Sequence, residues 1–169
     1  QEEAVRLIVL GRRGASAETT HRDLGRNVER VVRALHKPIL TVTENFREPQ
    51  RIMFAFDGGA ITRRGVEVVA GSPLFRDLPI LLFMSGRASS DAQKKLDAAR
   101  EKLEAAGLDV EAELQPGDAE TVIAGKVRER EIDMLIMGAF GHSVLRSLVF
   151  GSKTADLLRS STIPTLLLR

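Results

Sequence analysis

The fold is decided by the stretch Arg51-Ile52-Met53-Phe54-Ala55-Phe56-Asp57-Gly58-Gly59-Ala60. Its unbroken apolar run predicts a β-strand over Arg51–Phe56 that is buried on both faces of a sheet. A carboxylate and two glycines follow at once, and a helical pattern continues over Ile61–Ala70. A strand that turns through glycines into a helix is typical of a βαβ unit, so the stretch predicts an α/β layer.

Short apolar runs alternate with helical patterns along the rest of the chain. Four more strands are predicted, at Pro79–Met84, Leu108–Leu114, Met134–Met137 and Thr165–Leu168. Apolar and acidic residues alternate within 108–114, which predicts a strand at the sheet edge. Because crossovers between parallel strands are right-handed, the alternation of elements predicts an open five-stranded parallel sheet with helices on both faces.

Clear end signals mark two of the predicted helices. Ser90 and Gln93 predict a capping box at the start of the first, and Gly107 predicts its C-terminal cap. Asp118 is the predicted N-cap of the second. Its apolar face toward the sheet contains Ala119, Val122, Ile123 and Val127. A last helix is predicted over Ser152–Ser161.

An internal repeat divides the chain. Leu7–Gly14 parallels Leu135–Gly141, and in each copy an apolar strand follows a proline, Pro38 in the first and Pro164 in the second. We therefore expect residues 1–45 to be the C-terminal β-α-β part of a first unit. Residues 46–50 are then a linker, and residues 51–169 form a complete unit.

The repeat also predicts how the two units meet. Ile39–Val42 and Thr165–Leu168 are equivalent last strands, and each would expose a hydrophobic edge if it stayed alone. We expect the two edges to pair, either within one chain or between the chains of a homo-oligomer.

The composition is that of an ordinary globular protein: of 169 residues, 43% are hydrophobic and 28% are charged. The absence of cysteine excludes disulfides and cysteine-based metal sites and favours a reducing, cytoplasmic location. No apolar run approaches the ~20 residues of a membrane span, so no membrane partner is expected. A net charge of +2 without Trp or Tyr argues against nucleic acid. The three histidines lack metal-ligand spacing, and no metal-binding residue is predicted.

Two loops are candidates for ligand binding, because ligands of open parallel sheets bind beyond the carboxyl ends of the strands. The first contains Asp57 and Gly58, directly after the first strand. The second begins at Gly138 and Gly141 and leads to Gly151 and Ser152 at a predicted helix start, where backbone N–H groups attract phosphate. Considered alone, turns and helix caps account for these residues equally well.

The spacing Gly-x2-Gly-x9-Gly-Ser, with the aspartate upstream, resembles the nucleotide-binding pattern of the universal stress protein family. The resemblance covers residues 50–169, and residues 1–45 resemble the end of a first domain in a tandem member. It implies the strand order 3-2-1-4-5, pairing through the last strand, and binding of ATP, alone or with Mg²⁺.

The same resemblance implies a role for each candidate residue. Asp57 would lie by the ribose or adenosine, and the backbone near Phe83 and Met84 would face the adenine. The residues that would hold the ribose and phosphates are Gly138, Gly141, Gly151 and Ser152. His142 would bind a phosphate or a metal-bound water, with an idle surface histidine as the alternative.

Catalysis has little support, because no nucleophile, base and acid are arranged for it in the sequence. The resemblance favours an ATP-binding stress-response regulator in which nucleotide occupancy sets conformation or partner binding. Two alternatives stay open: a nucleotide-free interaction module and a weak ATPase.

Overall fold

The computed structural model describes residues 7–11, 37–43, 47–138 and 163–169. Within these residues the strands are β1 (Ile8–Gly11), β2 (Ile39–Val42), β3 (Ile52–Ala55), β4 (Ile80–Ser85), β5 (Val110–Gln115), β6 (Met134–Gly138) and β7 (Thr165–Leu168). The helices are α1 (Ala60–Ala70), α2 (Ser90–Ala105) and α3 (Ala119–Glu129), with a 3-10 turn over Pro73–Phe75. The five predicted strands are present; Thr165–Leu168 has the predicted ends, and the ends of the other four differ by at most two residues.

The described strands form one sheet in the order β1-β2-β7-β6-β3-β4-β5. Neighbours from β7 to β5 are all parallel, so the predicted α/β architecture and the order 3-2-1-4-5 of the five predicted strands are confirmed. The sheet does not stop at five strands, because β2 pairs with β7 and brings β1 with it. The helix expected between β1 and β2 lies outside the described residues.

β2 and β7 are antiparallel, with Ile39 opposite Leu167 and Thr41 opposite Thr165. The hydroxyl of Thr41 donates to the Thr165 carbonyl across 3.2 Å in the buried centre of this pair. The last strands were expected to pair either within one chain or between chains. In the structure they pair within the chain.

The strand pairs on the two sides of this junction share their geometry. In each pair the strands are parallel, with Ile8 opposite Ile39 in the first and Leu135 opposite Thr165 in the second. The amide of Ile8 donates to the Pro38 carbonyl at 3.0 Å, and the amide of Leu135 donates to the Pro164 carbonyl at the same distance.

Helices cover both faces of the sheet. On one face of the sheet, α1 and α2 cover side chains of β3 and β4, including Ile52, Phe54 and Leu82. These side chains pack with Val66 of α1 and with Leu96 and Leu103 of α2. On the other face α3 inserts Ile123 among side chains of β3, β4 and β6, such as Met53, Phe83 and Leu135. Strands buried on both sides explain the continuous apolar runs in the sequence.

The helix ends follow the predicted signals with one correction. The predicted capping box of Ser90 and Gln93 is wrong: the N-cap of α2 is Ser89, which has an extended backbone and whose side chain accepts from the Ala92 amide, and the Gln93 side chain donates to Asp97 instead. Gly107 ends the helix with φ +83°, and the Gly107 and Leu108 amides donate to carbonyls in its last turn, as predicted. Asp118 is confirmed as the N-cap of α3, since its carboxylate accepts from the Thr121 amide.

β5 is the edge strand that its alternating sequence predicts, and charged residues line this edge. Lys126 of α3 is only 8% exposed, and its Nζ lies 2.8 Å from Glu113 Oε1 on β5 and 3.1 Å from a Glu129 oxygen. The hydrogen bonds that the Lys126 ammonium donates, first to Glu113 and then to Glu129, raise its pKa. Arg130 adds an ion pair with Glu111. Among the described helices none is long and apolar enough to cross a membrane.

Candidate functional site

The candidate site lies at the carboxyl edge of the sheet, where the strand order reverses. From β3 the chain crosses first to β4 on one side and later returns to β6 on the other. A crevice opens at such a switch point, between the loops that follow the two neighbouring strands. Here those loops begin at Asp57 after β3 and at Gly138 in β6. β1 and β2 run the other way, so Gly11 of the opening segment lies at the opposite edge.

The loop after β3 is organised around the carboxylate of Asp57. Its Oδ1 accepts from the Gly59 amide at 2.8 Å and from the Thr62 hydroxyl at 2.5 Å. Gly58 between them has φ +72°, a left-handed conformation that a residue with a side chain adopts only under strain. The loop thus holds a half-buried carboxylate in a fixed position at the start of α1.

Thr62 connects this loop to the second one. It is 1% exposed, and its methyl carbon would lie 3.1 Å from a Cβ added at Gly138; Ile61 Cγ2 would lie 3.3 Å away. A glycine at 138 therefore lets the first turn of α1 pack directly on the end of β6. The structure brings Asp57 and Gly138 together through this one threonine, which the sequence analysis did not single out. A polar residue on the buried face of α1 was the available signal.

Phe83 and Met84 lie inside β4, and their side chains are buried on opposite faces of the sheet. The Phe83 carbonyl accepts from the Phe56 amide at 2.9 Å, so it is already paired in the sheet. β4 extends one residue past the predicted end, to Ser85, and Gly86 follows with φ +128°. The backbone beyond Met84 thus reaches the same edge as Asp57.

A lysine of α2 covers the outer side of the loop. The Cδ of Lys95 would lie 3.1 Å from a Cβ added at Gly58, so its aliphatic stem packs on the glycine. Its ammonium forms an ion pair with Asp91, one turn earlier on the same helix, at 2.6 Å. The missing side chain at Gly58 is what permits this approach.

The phosphate half of the predicted site, with Gly141, His142, Gly151 and Ser152, lies outside the described residues. The part that is described contains Asp57, Gly58, Phe83, Met84 and Gly138. Within that part, no group of three or more His, Cys, Asp or Glu side chains could hold a metal ion. We therefore derive no role for Mg²⁺ from these residues.

The model of the universal stress protein family matches residues 72–169, which is more than half of the chain. The chain belongs to the universal stress protein family. A curated universal stress protein of Synechocystis is 40% identical over 165 residues, which are 96% of this chain and 58% of the relative. The chain thus spans less than two thirds of that relative's length.

Solved structures share the fold at low sequence identity. A universal stress protein from Archaeoglobus fulgidus superimposes with a TM-score of 0.74 at 18% identity, over 98% of this chain and 61% of its own. A universal stress protein in complex with cAMP gives a TM-score of 0.58 at 18% identity, over 73% of this chain and 98% of its own. An Arabidopsis thaliana family member with AMP bound gives 0.52 at 21% identity, over 70% and 90%.

Proposed function

We propose that the chain binds an adenine nucleotide, with ATP as the expected ligand, in the crevice between β3 and β6. The observation that carries the proposal is the junction of the Asp57 loop with Gly138 at the point where the strand order reverses. Family members of similar fold that were solved with cAMP and with AMP support an adenine nucleotide as the ligand class.

The residues of the site suit the parts of such a ligand. A carboxylate accepts about four hydrogen bonds, so Asp57 can anchor its own loop and receive ribose hydroxyls. The backbone near Phe83 and Met84 would face the adenine, and Gly138 would border the ribose. We assign the phosphates to Gly141, His142, Gly151 and Ser152, because glycine amides and the helix start predicted at Ser152 would attract anions.

We further propose that nucleotide occupancy regulates the protein in a stress response, by setting its conformation or its binding of a partner. A nucleotide that contacts Asp57 acts on the start of α1, because Thr62 joins the carboxylate to that helix. α1 in turn packs on β7, the strand that pairs with β2. The site is therefore linked to the junction between the two halves of the sheet.

The proposed domain organisation is a first unit that ends in residues 1–45, a linker over 46–50 and a complete unit over 51–169. The β1–β2 and β6–β7 pairs, which flank the β2–β7 junction, have the same register, and this supports the proposed organisation. Burial supports it as well: Val9 of β1 is 56% exposed, whereas its counterpart Ile136 of β6 is fully buried against β3. The chain lacks cysteine, and we propose the cytoplasm as its location.

One observation favours the nucleotide-free interaction module as a second candidate. Asp57 Oδ1 is already engaged by the Gly59 amide and the Thr62 hydroxyl, as in a purely structural strand-to-helix turn. If that were its whole role, the loop would need no ligand.

Calorimetric titration with ATP separates the two candidates. The variant Asp57→Asn keeps an oxygen acceptor for the turn but removes the charge, and we expect it to weaken ATP binding about tenfold. The matched control is Asp109→Asn, which removes the same charge at the opposite edge of the sheet and should leave the affinity unchanged. ATP that fails to bind the wild-type chain at millimolar concentration would leave the interaction module as the better candidate. Phosphate release that disappears in Asp57→Asn would favour a weak ATPase.

A further inference from the structure

A groove runs between α1 and α2 on the face of the sheet that these two helices cover. Its volume is about 400 Å³, within the range of small-molecule sites. The floor is apolar and consists of Phe56, Val66, Ala98 and Ala99. We call this feature the α1–α2 groove.

The rim of the α1–α2 groove is strongly basic. Four cationic side chains line it, with a single carboxylate, Glu67; the cations are Arg63, Lys94, Lys95 and Lys102. Lys102 Nζ lies 2.7 Å from Glu67 Oε1, and this ion pair bridges the two helices. The hydrogen bond and charge of Lys102 lower the pKa of the Glu67 carboxylate.

Two of these cations differ from Lys95 and Lys102 in their surroundings within the described part of the chain. Among the described residues, neither Arg63 of α1 nor Lys94 of α2 forms an ion pair, and both are exposed. They lie on opposite walls above the apolar floor. An anionic group between them would neutralise both charges, while an attached apolar body would cover the floor.

The groove is also bounded along its length. At one end the stem of Lys95 packs on Gly58, and toward the other end Lys102 and Glu67 join the helices. A short ligand fits these limits better than a long acyl chain. We propose that the α1–α2 groove binds a small organic anion with an apolar, preferably aromatic, body, such as an aromatic sulfonate or carboxylate.

The test uses the fluorescent anion anilinonaphthalene sulfonate and its uncharged analogue phenylnaphthylamine. We expect the anion to bind the folded chain more tightly than the neutral dye, and to bind less tightly as salt is added. The double variant Arg63→Gln/Lys94→Gln should weaken the anion roughly five- to tenfold, the effect of two partly exposed charge contacts. The matched control Arg76→Gln/Arg128→Gln removes the same charge outside the groove and should bind as the wild type does.

A blocking variant tests the location without changing any charge. Ala98 is exposed in the groove, so Ala98→Phe should fill the space while circular dichroism and cooperative unfolding remain those of the wild type, and dye binding should be lost. Equal binding of both dyes would indicate a neutral occupant and overturn the proposal. Undiminished binding in both groove variants would overturn it too. So would displacement of the dye by ATP, which would place both molecules in one site.

Discussion

At the residue scale, the hydroxyl of Thr62 holds the candidate site together. It donates to Asp57 Oδ1 at 2.5 Å from a position that is 1% exposed. Thr62→Val keeps the shape of the side chain but leaves the carboxylate without this donor. We expect the free energy of unfolding, measured in urea, to fall by about 1–2 kcal/mol. Thr62→Ser is the control, because it keeps the donor; a loss as large as that of valine would assign the effect to packing instead.

Sequence reasoning found one partner of this hydrogen bond and missed the other. Asp57 could be predicted, because a carboxylate that follows a buried strand stands out against apolar neighbours. Thr62 offered only a local hint, a polar residue on the apolar face of α1, and its contact with Gly138, 76 residues later in the chain, could not be predicted. Only the strand order makes those two positions adjacent.

At the scale of elements, glycine has opposite consequences in two helices. In α1 a Cβ at Gly65 would lie 2.2 Å from Leu168 Cδ1 and 3.1 Å from the Phe54 ring, whereas a Cβ at Gly125 of α3 meets nothing within 4 Å. Leu168 and Phe54 are themselves buried. We expect Gly65→Ala to destabilise the protein by about 1–3 kcal/mol. Gly125→Ala should stabilise it by about 0.5–1 kcal/mol, through helix propensity alone.

Thermal and urea unfolding of the two variants measure this difference directly. Gly65→Ala should lower the free energy of unfolding, and Gly125→Ala should raise it. A stabilising Gly65→Ala would mean that α1 can move away from β7, and the proposed link between the nucleotide site and the strand junction would lose its rigid element.

The elements themselves were largely predictable, because their signals are local. The edge position of β5 follows from the alternation over residues 108–114, and the caps at Gly107 and Asp118 follow from single residues with a known preference. The N-cap of α2 was placed one residue late, since Ser89 and Ser90 are both good caps and only the backbone angles decide between them. The close approach of α1 to β7 depends on tertiary packing and had no local signal.

At the scale of the whole molecule, the β2–β7 pair connects the β1–β2 pair to the other five strands of the sheet. Among the described strands β1 pairs only with β2, and the hydrogen-bonded pairing of β2 with the rest of the sheet consists of three residue pairs with β7. β7 is supported independently by β6 and by α1. The stability of the β1–β2 pair is therefore expected to be separable from that of strands β3–β7 and their helices.

Ile39→Asp tests this separation, because it places a charge opposite Leu167 where both side chains are fully or almost fully buried. Burial of an unpaired carboxylate costs several kcal/mol, so amide hydrogen exchange at residues 39–42 should accelerate by about two orders of magnitude or more. Residues 52–55 and 134–138 should keep their protection. Val9→Asp introduces the same charge at a side chain that is 56% exposed and should change little. Loss of protection throughout the sheet in Ile39→Asp would show instead that the two halves fold as one cooperative unit.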